Sequence, residues 1–140
     1  MRASQVTYVP NELLSRLVGE RLVAVTFVLD SYLQLQFDNA RMNVEVWPAI
    51  QHQGRVLNGS ELGYSDCLRH LCGSRVVATS EMTGDGLRIK LEAGEIHVNP
   101  TREEVHVEIA LLQLDPEDAG SGPGEWMCWR PGEESFEHLT

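Results

Sequence analysis

Four side chains in the C-terminal half, Glu95, His97, His106 and Glu108, are of the types that hold a divalent metal or move protons. Alternation places Glu95 with His97, and His106 with Glu108, on single faces of two extended runs. The chain between them, Asn99 to Glu104, is short enough to turn a hairpin. In such a hairpin two imidazoles and two carboxylates would lie opposite each other on one wet face. The same residues also make an ordinary solvated face, because no nucleophile or oxyanion donor is positioned beside them. A second set, Cys67-x-x-His70-x-Cys72 with Cys128, has the ligand types of zinc, which requires four in a tetrahedron. On a helix turning about 100° per residue, however, Cys72 lies about 140° round from Cys67. The two cannot meet one ion, and the cysteines read as small apolar core residues.

Nucleophilic chemistry finds no support. Serine, histidine and aspartate are present without a Gly-x-Ser-x-Gly turn, and Cys128 has no evident base. Gly120-Ser121-Gly122-Pro123-Gly124 lacks the lysine and the following helix of a phosphate loop. The pairs Glu103-Glu104 and Glu133-Glu134 read as solvated charges. These residues favour a non-enzymatic protein without a cofactor, with metal binding through Glu95, His97, His106 and Glu108 as the alternative.

The elements that would carry these residues come from a recurrence. Leu17-Val18-Gly19-Glu20-Arg21-Leu22-Val23-Ala24 returns as Leu71-Cys72-Gly73-Ser74-Arg75-Val76-Val77-Ala78, an offset of 54. The same offset lays Asn11 on Ser65, Leu14 on Leu68, Leu33 on Leu87, Leu35 on Ile89, Phe37 on Leu91, Met42 on Ile96 and Val44 on Val98. We read an internal duplication. In each copy a short helix is capped by Asn11 or Ser65 and stopped by Gly19 or Gly73. The period then changes to two, through Val23 to Leu29, Leu33 to Phe37 and Met42 to Val46, and again through Val76 to Met82, Leu87 to Leu91 and Ile96 to Val98. Turns fall at Asp38-Asn39 and Gly84-Asp85-Gly86.

The fold class expected is therefore α+β: two helix-plus-three-stranded antiparallel meander units forming a curved sheet or partial barrel with pseudo-twofold symmetry. The 140 residues form one domain, with repeat 1 at about 10–48, repeat 2 at about 64–100 and C-terminal strands with an acidic tail over 101–140. Arg55-Val56-Leu57 is a short strand between the copies. Val105 to Leu114 reads as one long strand, Asp115 to Glu125 as a loop or flap, and Trp126 to Trp129 as a closing strand. Val6 to Val9 is an edge strand or an arm. Arg21 and Arg75, just past each helix stop, are expected to bond the last helical carbonyls.

Charge narrows the partners. Formal net charge is −10, yet nine acids balance nine bases over residues 1–91. Residues 92–140 carry twelve acids against only Arg102 and Arg130. Such an end repels phosphate, which argues against nucleic acid, and attracts a basic protein. No run approaches a membrane span, and the N-terminus lacks the apolar core of a signal peptide. Three cysteines, two on one helix, imply a reducing cytoplasm. Trp126 and Trp129 have opposite phases, so one is expected beside the acidic loop. With Glu103, Glu104, Glu108 and Asp115 they form the expected binding surface. An unpaired edge strand such as Val105 to Leu114 is a candidate for homodimerisation.

The order Leu71-x-Gly73, Gly86-Leu87-x-Ile89-x-Leu91-x-x-Gly94-x-Ile96-x-Val98-x-Pro100, then a tryptophan and Pro131-Gly132, resembles a family of small bacterial proteins of unknown function over residues 68–136. That family has a tryptophan after an acid in the strand following the proline, and Val105 to Ile109 has none. The resemblance implies an α+β fold without established catalysis. By analogy with similar small sheet proteins, it implies an immunity-like role against a cationic toxin.

Overall fold

Apolar residues at every second position need a sheet to share a core, and the chain builds two. The computed structural model describes residues 8–28, 31–59, 61–116 and 124–139. The strands are β1 Leu22–Val28, β2 Tyr32–Phe37, β3 Ala40–Val44, β4 Ala49–His52 and β5 Arg55–Leu57, then β6 Val76–Met82, β7 Gly86–Leu91, β8 Gly94–Val98, β9 Ala110–Leu114 and β10 Trp126–Trp129. One α-helix, α1 (Tyr64–Leu71), precedes β6. The protein is mostly β, with two five-stranded antiparallel sheets ordered β1-β2-β3-β9-β10 and β5-β4-β8-β7-β6. The inward residues Leu33, Leu35, Phe37, Met42 and Val44 of the first sheet join Leu87, Ile89, Leu91, Ile96 and Val98 of the second in one buried cluster.

The connections explain the pairing. After β3 the chain leaves its own meander, and the β4–β5 hairpin pairs with β8 of the other half. After β8 the β9–β10 hairpin returns to pair with β3. Each meander is completed by a hairpin from the opposite half. Where the halves meet, Arg21 bridges Arg75 antiparallel. Gly19 N donates to Val76 O at 2.8 Å and Gly73 N to Leu22 O at 2.7 Å. Leu22 N donates to Ser74 O at 3.0 Å and Val76 N to Glu20 O at 2.9 Å. Bulges fall at Leu22/Ala24 and Val76/Ala78.

Several expectations are corrected. The repeated helical unit is not seen: residues 14–17 form only a 3-10 turn, and α1 is the one α-helix among the described residues. Asn11 is no N-cap. It sits at φ 70°, its backbone N–H donating to Glu81 and its amide reaching Thr79 O, so the chain is tied to β6 before a helix can start. Ser65 is not the cap of α1 either, since Gly63 holds that position at φ 90°. Among the described residues there is no single curved sheet and no closed barrel, because the exchanged hairpins give each meander its own five-stranded sheet.

Val105 to Leu114 is not one strand. Thr101 and Glu104 close a capping box that turns Arg102–Glu104 into a 3-10 turn, and pairing begins only at Ala110. β9 lies between β3 and β10, so it offers no free edge for a second copy. Neither arginine bonds the end of the helix it follows: Arg21 donates to Asp38 Oδ1 at 3.3 Å, and Arg75 crosses to the other half and donates to Gly19 O at 3.0 Å. Tyr8 and Val9 are not in a strand. Val6, Thr7 and the centre of the expected flap, 117–123, lie outside the described residues. No described helix is long and apolar enough to cross a membrane.

Candidate functional site

The four proposed metal ligands are not brought onto one hairpin face. β8 pairs with β7 and β4, so His97 faces Arg88 and Ala49 across the ladder, and Glu95 faces Lys90 and Gln51. His106 and Glu108 lie in the segment between the 3-10 turn and β9. Among the described residues no group of three or more His, Cys, Asp or Glu is placed to hold a metal ion. What β7 and β8 do carry is an ion-pair chain. Arg88 binds Asp85 through two nitrogens, at 2.8 and 2.9 Å, and Glu95 at 2.6 Å. His97 Nε2 is 2.7 Å from Asp85 O. The Arg88 hydrogen bond holds the Asp85 carboxyl below its usual 3.8. A depressed carboxylate pKa adds stability that is present above the unfolded value and lost as pH falls through the folded one. Arg88→Met is expected to cost about 1 kcal/mol at neutral pH, since the pair is solvent-screened. It should also flatten the loss of stability below pH 3.8. Urea unfolding at neutral and acid pH reads both, and an unchanged acid slope would refute the assignment.

The zinc-like set also disperses. Cys67 is buried and Cys72 half-buried in the α1 region, and all three cysteines are free. The His70 ring stacks on His52 at 5.3 Å between centroids. Burial pushes the Cys72 thiol up, and burial followed by Glu108 does the same to Cys128, so neither is a ready thiolate.

Of the expected binding surface, Trp126 is exposed on the edge strand β10, but Trp129 is only 1% exposed. Its indole N–H donates to Glu81 Oε2 at 2.8 Å, where the Ser135 hydroxyl also donates, at 2.9 Å. Asn11 N fills the other oxygen at 2.8 Å. Glu81 is thus a buried carboxylate surrounded by three donors, an anchor that turns Trp129 inward. Glu104 accepts from Thr101 N at 2.7 Å, and Glu108 lies 3.5 Å from Arg130. Glu103 and Asp115 are exposed. The acids remain at the surface, and one of the two tryptophans does not.

Alternation puts Trp47, with Asn43 and Glu45, on the outward phase of its strand, and the structure holds it at the surface. Trp47, on the outward phase after β3, is 47% exposed yet fixed on several sides. Phe27 lies 6.0 Å away at 30°, and Tyr64 meets it edge-on at 6.0 Å, with its hydroxyl donating to Pro48 O. Gly59 lies against its back: a Cβ there would come within 2.6 Å of Trp47 Cβ. A cavity of about 320 Å³ opens beside the indole, lined by Ser31, Tyr32, Val44, Glu45, Val46, Trp47, Glu104 and His106. Burial, then Glu108, pushes the Glu45 carboxyl up. A second cavity, about 400 Å³, lies behind Phe27 against α1, with Ala24, Val25, Leu68 and Cys72 in its wall and Asp66 and Arg69 among its polar residues.

No protein-family model, curated protein or solved structure matches the chain. Two acids and a histidine beside fixed aromatic rings, with no lysine or arginine in the lining, can attract a cation and pack its apolar stem.

Proposed function

We propose that this chain is a non-enzymatic binding module for a basic protein. The observation that carries the reading is the cavity beside Trp47, whose lining includes Tyr32, Trp47 and the acids Glu45 and Glu104 and no lysine or arginine. The excess of acids over residues 92–140 supplies the long-range attraction. An immunity-like role against a cationic toxin in a reducing cytoplasm is its concrete form, and rests on the family resemblance. The reading also takes the chain as a duplicated frame, supported by strand lengths, bulges and junction hydrogen bonds that recur at the 54-residue offset.

Immobilised protein should retain basic proteins from a lysate at low salt and release them as salt rises. Replacing Glu103, Glu104 and Glu108 together by glutamine should weaken retention. Empty eluates at low salt, or retention indifferent to salt, would defeat the proposal.

A further inference from the structure

We propose that the cavity beside Trp47 is the receptor for one lysine or arginine side chain of the partner. This rests on the binding reading above and names the chemistry of its contact. Phe27, Tyr64 and Gly59 pack against the indole of Trp47 while nearly half of the residue stays open. A ring fixed in advance loses little entropy on meeting a ligand.

The volume, about 320 Å³, lies at the low end for ligand clefts, so it suits a single side chain rather than a folded segment. Tyr32 and Trp47 line the cavity and can pack against an alkyl stem whose charge lies beside Glu45 and Glu104. Among the described residues Glu45 has no side-chain hydrogen bond or ion pair, whereas Glu104 Oε1 is engaged by Thr101. Arg102, two residues before Glu104, donates to Val105 O, and Arg130 lies on Glu108 and Glu133. Glu45 is therefore the acid free to take an incoming cation.

The test is a titration of the whole chain with Nα-acetyl-lysine methylamide and Nα-acetyl-arginine methylamide, followed by nitrogen–proton correlation spectra. Nα-acetyl-norleucine methylamide serves as the uncharged control. At least one charged probe should shift the Trp47 indole N–H and the Glu45 amide saturably, leaving the Trp126 indole N–H unmoved. Norleucine should bind about tenfold more weakly. Glu45→Gln should lose about five- to tenfold in affinity, of the order of one surface charge contact beside an aromatic ring. Its melting curve checks that the fold is kept. Absence of saturation at Trp47, equal affinity for norleucine, or unchanged affinity in Glu45→Gln would each overturn the site. Salt-sensitive capture of a basic protein without probe binding at Trp47 would overturn this receptor and leave the binding reading standing. Probe binding without any captured protein would do the reverse.

Discussion

Replacing Glu81 by alanine is expected to destabilise the protein by about 4 kcal/mol, the range seen when one member of a buried charged network is removed. Glu81 is 9% exposed, and three donors converge on it: the Trp129 indole, the Ser135 hydroxyl and the Asn11 backbone. Each comes from a different part of the chain, so one carboxylate on β6 ties down the residues before the first turn, the end of β10 and the C-terminal segment. Truncation removes the short acceptor of all three donors. It leaves the buried Ser135 hydroxyl without this partner, the Trp129 indole with only a 3.4 Å contact to the Tyr8 hydroxyl, and the Asn11 N–H to water. Part of the loss is offset at Glu134, whose carboxyl is pushed up by burial, then by Glu133 and Glu81. Removing the Glu81 charge relieves that last repulsion. Glu81→Gln keeps one acceptor oxygen and should lose about half as much. Urea unfolding monitored by tryptophan fluorescence measures both, because Trp129 is a buried reporter. A loss below about 1.5 kcal/mol for the alanine variant would mean that these contacts are not a coupled network.

Gly86→Ala is expected to cost about 3 kcal/mol or more, whereas Gly84→Ala two residues earlier should cost about 1 kcal/mol. Both glycines lie at positive φ, 80° and 89°. They differ in surroundings: nothing lies within 4 Å of a Cβ at Gly84, but a Cβ at Gly86 would land on the Val98 carbonyl oxygen. That carbonyl belongs to the end of β8, and Leu87 pairs with Val98 in the β7–β8 ladder. The alanine methyl must push β8 away, which opens the strand that also carries the β4–β5 hairpin. The difference between the two variants isolates the close approach from the backbone strain they share. Equal losses in thermal or urea unfolding would show that the approach is relieved at no cost.

Much of the strand framework could be read from residue order. Leu33 to Phe37, Leu87 to Leu91, Arg55 to Leu57 and Trp126 to Trp129 all lie in strands, and turns fall at Asp38-Asn39 and around Gly84-Asp85. Period-two alternation is a local property, so it survives whatever the strand later pairs with. Helix caps were less legible. Asn11 has the right side chain for a cap, yet Glu81, 70 residues away, captures its backbone N–H instead. Thr101 and Glu104 form a capping box that was open to reading and would have ended the supposed long strand at the correct place.

The metal and binding constellations depended on a pairing that alternation cannot choose. Residues 94–98 could take any antiparallel neighbour, and the geometry puts β4 there, so His97 meets Ala49 and never lies opposite His106. Trp126 and Trp129 were indistinguishable by composition, and only the buried Glu81 selects Trp129 for the interior. Trp47 shows the converse case. Its exposure and its hold by Phe27, Tyr64 and Gly59 join positions far apart in the chain.

By itself the sequence determined which segments are extended, where the chain must turn through left-handed glycine, and where the excess of negative charge lies. Each of these depends on a residue and its near neighbours. Only the tertiary structure decided that the hairpins are exchanged between the halves, that Glu81 draws three distant donors inward, and that a tryptophan stands fixed beside two acids. Those outcomes turn on contacts between residues tens of positions apart, where the gain of burying a shared core outweighs local preference and no short-range pattern records the choice.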